Sequence, residues 1–317
     1  MKAKVALVKG GNRAANIRKA LDLIEEDIDL RGKSNVFVKV NFVSTQDQLA
    51  ATHVDAVRSL LEFLRERYDG KITIGESAAD TPAQEGFRRF GYTDLPHRFK
   101  VGLVDLNEGD FIPVDLYDSS LRPMTLRYSK QLADSDYRIV IGPAKTHNVV
   151  VATLSIKNLA MGALFCRHVP GIVGPPADSD KHKMHQGHAV HNLNLYLLTK
   201  ACAPHLSIID GYEGMDGDGP IGGNPVPWKV AVASRDPVAA DVLTAKLMGF
   251  PITEIGYLWY CAKKGLGASD IDKMEIRGEH PDDCYRKFMP PPDYEVQKRW
   301  RDAKVAALLG LKDDTLP

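Results

Sequence analysis

Short apolar runs recur along the chain at Val5–Val8, Val36–Val40, Ile72–Gly75, Val101–Leu106, Tyr137–Gly142, Leu206–Asp210 and Val230–Ser234. Each is bounded by turn residues and predicts a strand. After most of them the apolar spacing changes to steps of three and four, over Asn16–Glu26, Val54–Arg67, Pro82–Phe90, His188–Ala203 and Pro237–Met248, which predicts helices. Strands alternating with helices point to the α/β class: a mostly parallel sheet with helices on both faces and a ligand cleft at the carboxyl ends of the strands. Pro170–Met184 is rich in Gly, Pro, Asp and Lys without periodicity and predicts a mobile surface loop able to cover a site. Gly211–Pro227, with six glycines, is a second break. Past Glu279 the chain turns Pro-rich and then helical. The expected division is therefore an α/β domain over 1–280, as one body or two lobes around a cleft, and a docked tail over 281–317.

Composition narrows the partners. The 317 residues hold 41 basic and 41 acidic side chains, and no stretch gathers Lys and Arg among aromatics, so neither nucleic acid nor an anionic membrane is expected. A small molecule is the expected partner, and a homo-oligomer stays open. The opening MKAKVALVKG enters a strand pattern at once, without an apolar signal core, which predicts a cytoplasmic protein. Cys166, Cys202, Cys261 and Cys284 lie at least 23 residues apart. That spacing excludes a local CxxC ligand set for zinc or iron–sulfur and predicts buried free thiols.

The chemistry concentrates in PAKTHNVVVATLSIKNLAMGALF, residues 143–165. The stretch is too short and too often interrupted, by Thr153, Ser155, Lys157 and Asn158, to span a membrane. It follows the strand at 137–142, so Lys145 and His147 fall at the cleft edge, and an extended backbone would put both on one side. From Ala152 to about Phe165 the pattern predicts a helix with Lys157 on the stripe of Leu154, Ala160, Met161 and Leu164. Lys157 is the only charged residue from Val149 to Cys166. Burial disfavours its charged form. A lysine so placed either snorkels to water or pairs with a structural carboxylate, or else serves as nucleophile, proton carrier or anion anchor.

These segments, together with VKVN (Lys39, Asn41), IGES (Glu76, Ser77), DGYEGMDGDGP and ASRDPVAADVLTAKLMG, make the chain resemble the large family known as domain of unknown function 362, over most of its length. The resemblance implies a ligand site at Lys145, His147, Lys157 and Asn158. Many members of that family carry an added ferredoxin-like cysteine cluster, which this chain lacks. A more distant similarity runs to the nickel-pincer lactate racemase family, in which a His is followed ten residues later by a Lys, as His147 is by Lys157 here. It implies proton transfer by His147, covalent attachment of a nickel-pincer nucleotide to Lys157, and a later nickel-ligating His, corresponding to His168, His185 or His188. The glycines surrounding the racemase motif are missing.

Two further stretches carry candidates. In KHKMHQGHAVH, His182, His185, His188 and His191 recur every three residues, so two or three neighbours can face one cavity of a helix while all four cannot. His185 and His188 are the expected ligands of a divalent transition metal, against the alternative of a solvated histidine face begun by Lys181 and Lys183. In DGYEGMDGDGPIGG, Asp218 and Gly219 are candidate ligand contacts, and the acidic residues Asp210, Glu213, Asp216 and Asp218 suit a cation or sugar hydroxyls as well as they suit a plain turn. Gly10, Gly11 and Arg13 could receive an anion at a helix start, and His53 reads as a local cap. No G-x-S-x-G, HExxH or Walker pattern is present.

The expectation is an enzyme that moves a proton or hydride at an oxygenated carbon of a small, carboxylate-bearing substrate. His147 would be acid and base, Lys145 would hold the anionic group or lower the histidine's pKa, and Lys157 would anchor cofactor or substrate. Lys39, Asn41 and Asn158 would orient the ligand. The alternatives are a non-catalytic metal or cofactor carrier and an iron–sulfur-associated redox partner.

Overall fold

The structure, a computed structural model, describes residues 2–167 and 178–312. The first half runs β1 (Lys4–Lys9), α1 (Arg13–Asp22), β2 (Asn35–Lys39), α2 (Val54–Arg65), β3 (Lys71–Glu76), α3 (Ala83–Arg89), α4 (Leu95–Phe99), β4 (Val101–Asp105), β5 (Phe111–Tyr117), β6 (Pro123–Ser129), α5 (Lys130–Ala133) and β7 (Tyr137–His147). The second half continues with β8 (Val151–Thr153), α6 (Ser155–Met161), α7 (Asp180–Lys183), α8 (His188–Ala201), β9 (Leu206–Asp216), β10 (Asn224–Val226), β11 (Val230–Ser234), α9 (Pro237–Leu247), α10 (Gly256–Lys263), β12 (Glu275–Gly278), α11 (Pro281–Cys284), α12 (Tyr294–Gln297) and α13 (Ala303–Leu308).

One large sheet orders its strands β12-β1-β11-β9-β7-β2-β3-β4, with β8 added to β7 and β10 to β9. The run β9-β7-β2-β3-β4 is parallel throughout, and β11 opposes both its neighbours. The fold is α/β, as the alternation of patterns predicts. Successive side chains of a strand point to opposite faces, and here both faces are apolar. Leu7, Phe37, Val140, Ile209 and Val232 enter one core with α6, α8, α9 and α10; Val8, Val38, Ile139, Ile208 and Ala233 enter the other with α1 and α2. That double burial explains the continuous Val and Ile runs.

The main departure from the pattern lies in the key segment. A helix was expected from Ala152, but Val151–Thr153 turns back and pairs antiparallel with Lys145–His147, so β-branched residues take the strand and the helix begins only at Ser155. Buried Asp241 on α9 receives the amides of Ser155 at 3.0 Å and Ile156 at 2.9 Å, a carboxylate at the helix start supplied by another element. The β5–β6 hairpin was also not anticipated; its alternation is mixed because, of its apolar residues, only Leu116, Leu126 and Tyr128 are buried.

Of the expected loop, 170–177 lies outside the described residues, as does His168, while Asp180–Lys183 forms the short α7 with Asp180 held by Arg127 at 2.9 Å. The C-terminal segment docks firmly. Trp300 is fully buried against Tyr260 and Trp259, with ring centroids at 5.2 and 5.5 Å, and Gln297 Oε1 accepts the Val151 amide. No helix among the described residues is long and apolar enough to cross a membrane.

Candidate functional site

Parallel pairing sets the floor of the site. Lys39 ends β2 opposite Gly75 of β3 and Val140 of β7, so its side chain meets the carboxylate of Glu76 at the end of β3. Lys39 Nζ donates to Glu76 Oε1 at 2.7 Å, to Asn158 Oδ1 at 3.1 Å and to the Val40 carbonyl at 2.6 Å. Burial pushes the Lys39 ammonium down to about 8, with Glu76 opposing the shift. Glu76 is further held by the amides of Phe42 at 2.6 Å and Ser77 at 2.8 Å.

From this pair a chain of amides leads to a second lysine. Asn158 Oδ1 also accepts from Asn41 Nδ2 at 3.2 Å, and Asn41 Oδ1 accepts from Lys145 Nζ at 2.6 Å, whose other partner is the Ala50 carbonyl at 2.6 Å. Lys145 has no carboxylate among its hydrogen-bond partners. Burial first, and the neighbouring Lys157 second, lower it to about 7.

Above this layer lies a cavity of about 330 Å3, walled by Asn41, Glu76, Ser77, His147, Asn148, Thr153, Lys157, Asn158, Lys181 and His185 among others. Its volume is at the small end of the roughly 300–1,000 Å3 usual for ligand pockets. Lys157, only 6 % exposed, lines it and makes no hydrogen bond or ion pair with any described residue. Burial, with a contribution from Lys181, lowers its amine to about 7. A buried amine without a counter-charge is poised as a nucleophile or as an acceptor of an incoming anion.

The histidines differ in which nitrogen is free. His147 Nδ1 accepts the Val149 amide at 2.9 Å, so the neutral ring carries its proton on Nε2 and offers the cavity a donor. Burial, then Lys157, His191, His185 and Lys145 in turn, hold it well below the ordinary imidazole range. His185 is the converse. Its Nδ1 lies 2.8 Å from the Lys181 carbonyl, which requires Nδ1–H and leaves a lone pair on Nε2. Its ring is exposed, lines the cavity and stacks on fully buried His191, with centroids 4.8 Å apart.

Of the residues singled out from the sequence, His147, Lys157, Asn41, Asn158 and His185 share the cavity wall. Lys39 and Lys145 lie behind it, fully buried. His188 turns its Nδ1 to the Val149 carbonyl at 2.9 Å and lies off the wall. Among the described residues no three His, Cys, Asp or Glu side chains are placed to hold a metal together. Asp218 is exposed and off the wall, and the loop instead contributes Pro220 and Ile221, while the Gly219 carbonyl accepts the Asn148 amide at 3.0 Å. The other acidic residues of that loop are dispersed: Asp210 pairs with Arg13 at 2.9 Å, and Asp216 accepts the Met289 amide at 2.9 Å. His53 caps α2 by accepting the Asp55 amide.

Three wall or support residues were named in the sequence reading without a role in the site. Glu76 ends β3 one position beyond Gly75, the register partner of Lys39, and carries the IGES motif's only carboxylate. Lys181, expected at a solvated helix start, is 8 % exposed and donates to the Ser77 carbonyl; its burial follows from the anchoring of neighbouring Asp180 by Arg127. Thr153 turns inward with β8, which the helical reading concealed.

A family model described as domain of unknown function (DUF362) matches residues 36–246, which contain every residue of the cavity wall. The chain belongs to the domain of unknown function 362 family. Among curated proteins it is similar to the thylakoid-associated protein sll1697 of Synechocystis, with 26 % identity over 200 residues, 62 % of this chain and 57 % of that protein. Among solved structures it is similar to the lactate racemase apoprotein of Thermoanaerobacterium thermosaccharolyticum, with 13 % identity, a TM-score of 0.48, and coverage of 78 % of this chain and 57 % of that one. The chain thus spans a little over half the length of each.

Proposed function

We propose that this member of the family is a small-molecule enzyme in which the amine of Lys157 is the covalent anchor for an oxygenated, carboxylate-bearing ligand or for the cofactor that acts on it. The observation that carries the reading is the amine itself: buried, unpartnered among the described residues, and opening on a cavity. Lowered to about 7, it holds a large neutral fraction at neutral pH and can attack a carbonyl carbon, forming a carbon–nitrogen bond with loss of water. His147 Nε2–H then faces the oxygen that gains negative charge, and His185 Nε2 is the free base for proton transfer.

A cofactor attached through Lys157 and touched by one imidazole fits these residues, with His185 as that imidazole; a metal held by three protein ligands does not fit the described ones. The chemistry a nickel-pincer group would supply when bound is reversible hydride transfer. Lys39, Asn41, Asn158 and Lys145 are the support that fixes the angle of the Lys157 helix.

Intact mass and absorption of freshly purified protein, followed by borohydride reduction in the presence of pyruvate, test the reading. An added mass that maps to Lys157 and vanishes in Lys157→Arg is the expected result. An unmodified chain under both conditions overturns it.

A further inference from the structure

The cavity wall has an unbalanced charge. Lys157 and Lys181 both line it. Among the described residues Lys181 Nζ reaches only a neutral group, the Ser77 carbonyl, and Lys157 has no partner. The one carboxylate in the wall among those residues is Glu76, and its oxygens are already occupied by Lys39 Nζ, Ser77 N and Phe42 N at 2.6–2.8 Å. The sequence from 168 to 177, HVPGIVGPPA, adds no acidic residue. The unused hydrogen-bonding capacity of the wall is also largely of one kind. Lys157 Nζ and His147 Nε2–H are donors, the Thr153 hydroxyl is buried without a partner among the described residues, and the His185 Nε2 lone pair stands as an acceptor against them.

Two ammonium groups beside one poorly solvated hollow repel each other, and Lys181 disfavours the charged form of Lys157. A monoanion compensates one of them. A ligand with two negative charges compensates both and supplies enough acceptor oxygens for the remaining donors. We propose that the cavity binds a small dianion, a phosphoryl group or a short dicarboxylate, with one charge against Lys157 and the other against Lys181. The inference deepens the functional reading above and rests on it only in taking this cavity as the ligand site; it requires no covalent bond to Lys157.

The test is calorimetric titration of the full chain, in a buffer free of other multivalent anions, with inorganic phosphate, malonate and acetate. At least one dianion is expected to bind about tenfold or more tightly than acetate, as one additional charge-assisted contact worth roughly 1.4 kcal/mol would give. Phosphate alone identifies a phosphoryl site, and malonate alone a dicarboxylate site. Lys181→Met is expected to remove that preference, bringing the affinities for dianion and acetate to within about twofold of each other. Should that variant fail to fold, Lys181→Gln replaces it, and the selectivity of the wild-type chain decides by itself. Equal affinity for all three anions, absence of dianion binding, or an unchanged preference without the Lys181 charge overturns the proposal. The two readings separate cleanly: dianion binding without any adduct on Lys157 sinks the covalent mechanism and leaves this site standing, and an adduct without dianion preference does the reverse.

Discussion

Asp241 and Ser155 are joined twice: one carboxylate oxygen of Asp241 accepts both the amide of Ser155, at 3.0 Å, and its hydroxyl, at 2.5 Å. Because α6 is a single short helix carrying Lys157 and Asn158, this contact sets where both side chains point. Asp241→Ala is expected to cost about 1–3 kcal/mol in denaturant unfolding, through the lost cap and the unpaired buried groups. It should also slow acylation of Lys157 by an amine reagent, whereas Asp241→Asn, which keeps an acceptor oxygen, should lose less on both counts.

Lys157→Met should stabilise the protein while abolishing covalent capture. The sign follows from the direction of the shift. A lysine whose folded pKa is about 7 instead of 10.5 is protonated in the unfolded chain and neutral in the folded one between those values, so wild-type stability rises with pH across that window. The advantage of Lys157→Met is therefore expected to be largest at and below pH 7 and to shrink by up to about 1.4 kcal/mol per pH unit toward 10.5. Urea titrations of both proteins at several pH values read this directly; an advantage that grows with pH contradicts the burial of the amine.

Lys181 contributes to the low pKa of Lys157 by charge repulsion. In Lys181→Met the pH midpoint for modification of Lys157, followed by peptide mass mapping, should move upward. A downward or absent shift would mean that the two amines do not share the cavity.

Gly162 follows α6 where a Cβ would collide with Lys39 Nζ and with the Asn158 carbonyl oxygen. Gly162→Ala is expected to destabilise by about 1–3 kcal/mol, because the obstruction includes backbone. Its thermal midpoint against that of Gly11→Ala, at a position with open space, gives the comparison.

Much of the sheet was legible because its strands are buried on both faces and read as unbroken Val and Ile runs; Val36–Val40 and Val230–Ser234 predict β2 and β11 to within a residue. The turn at Val151 was not, since Val151 adopts φ of 67°, a left-handed conformation that no pattern of apolar residues announces for a β-branched side chain. At the site, His147 and Lys157 were visible as polar residues in an apolar run. The retreat of Lys145 behind Asn41 was not, because it depends on where the Ala50 carbonyl lies, nearly a hundred positions earlier in the chain. Lys181 looked like a surface residue for the same reason: its environment is made by Ser77, on the other side of the fold.

Lys39 ends β2 opposite Gly75, one position before Glu76 closes β3, and Asn158 reaches Lys39 from a helix fixed by α9. A one-residue slip between β2 and β3 would turn the ammonium to the opposite core and strand the carboxylate among hydrocarbon. Misaligned strands are thus penalised by an orphaned ion on each side, so the same residues that furnish the pocket also act as a proofreading key for strand alignment.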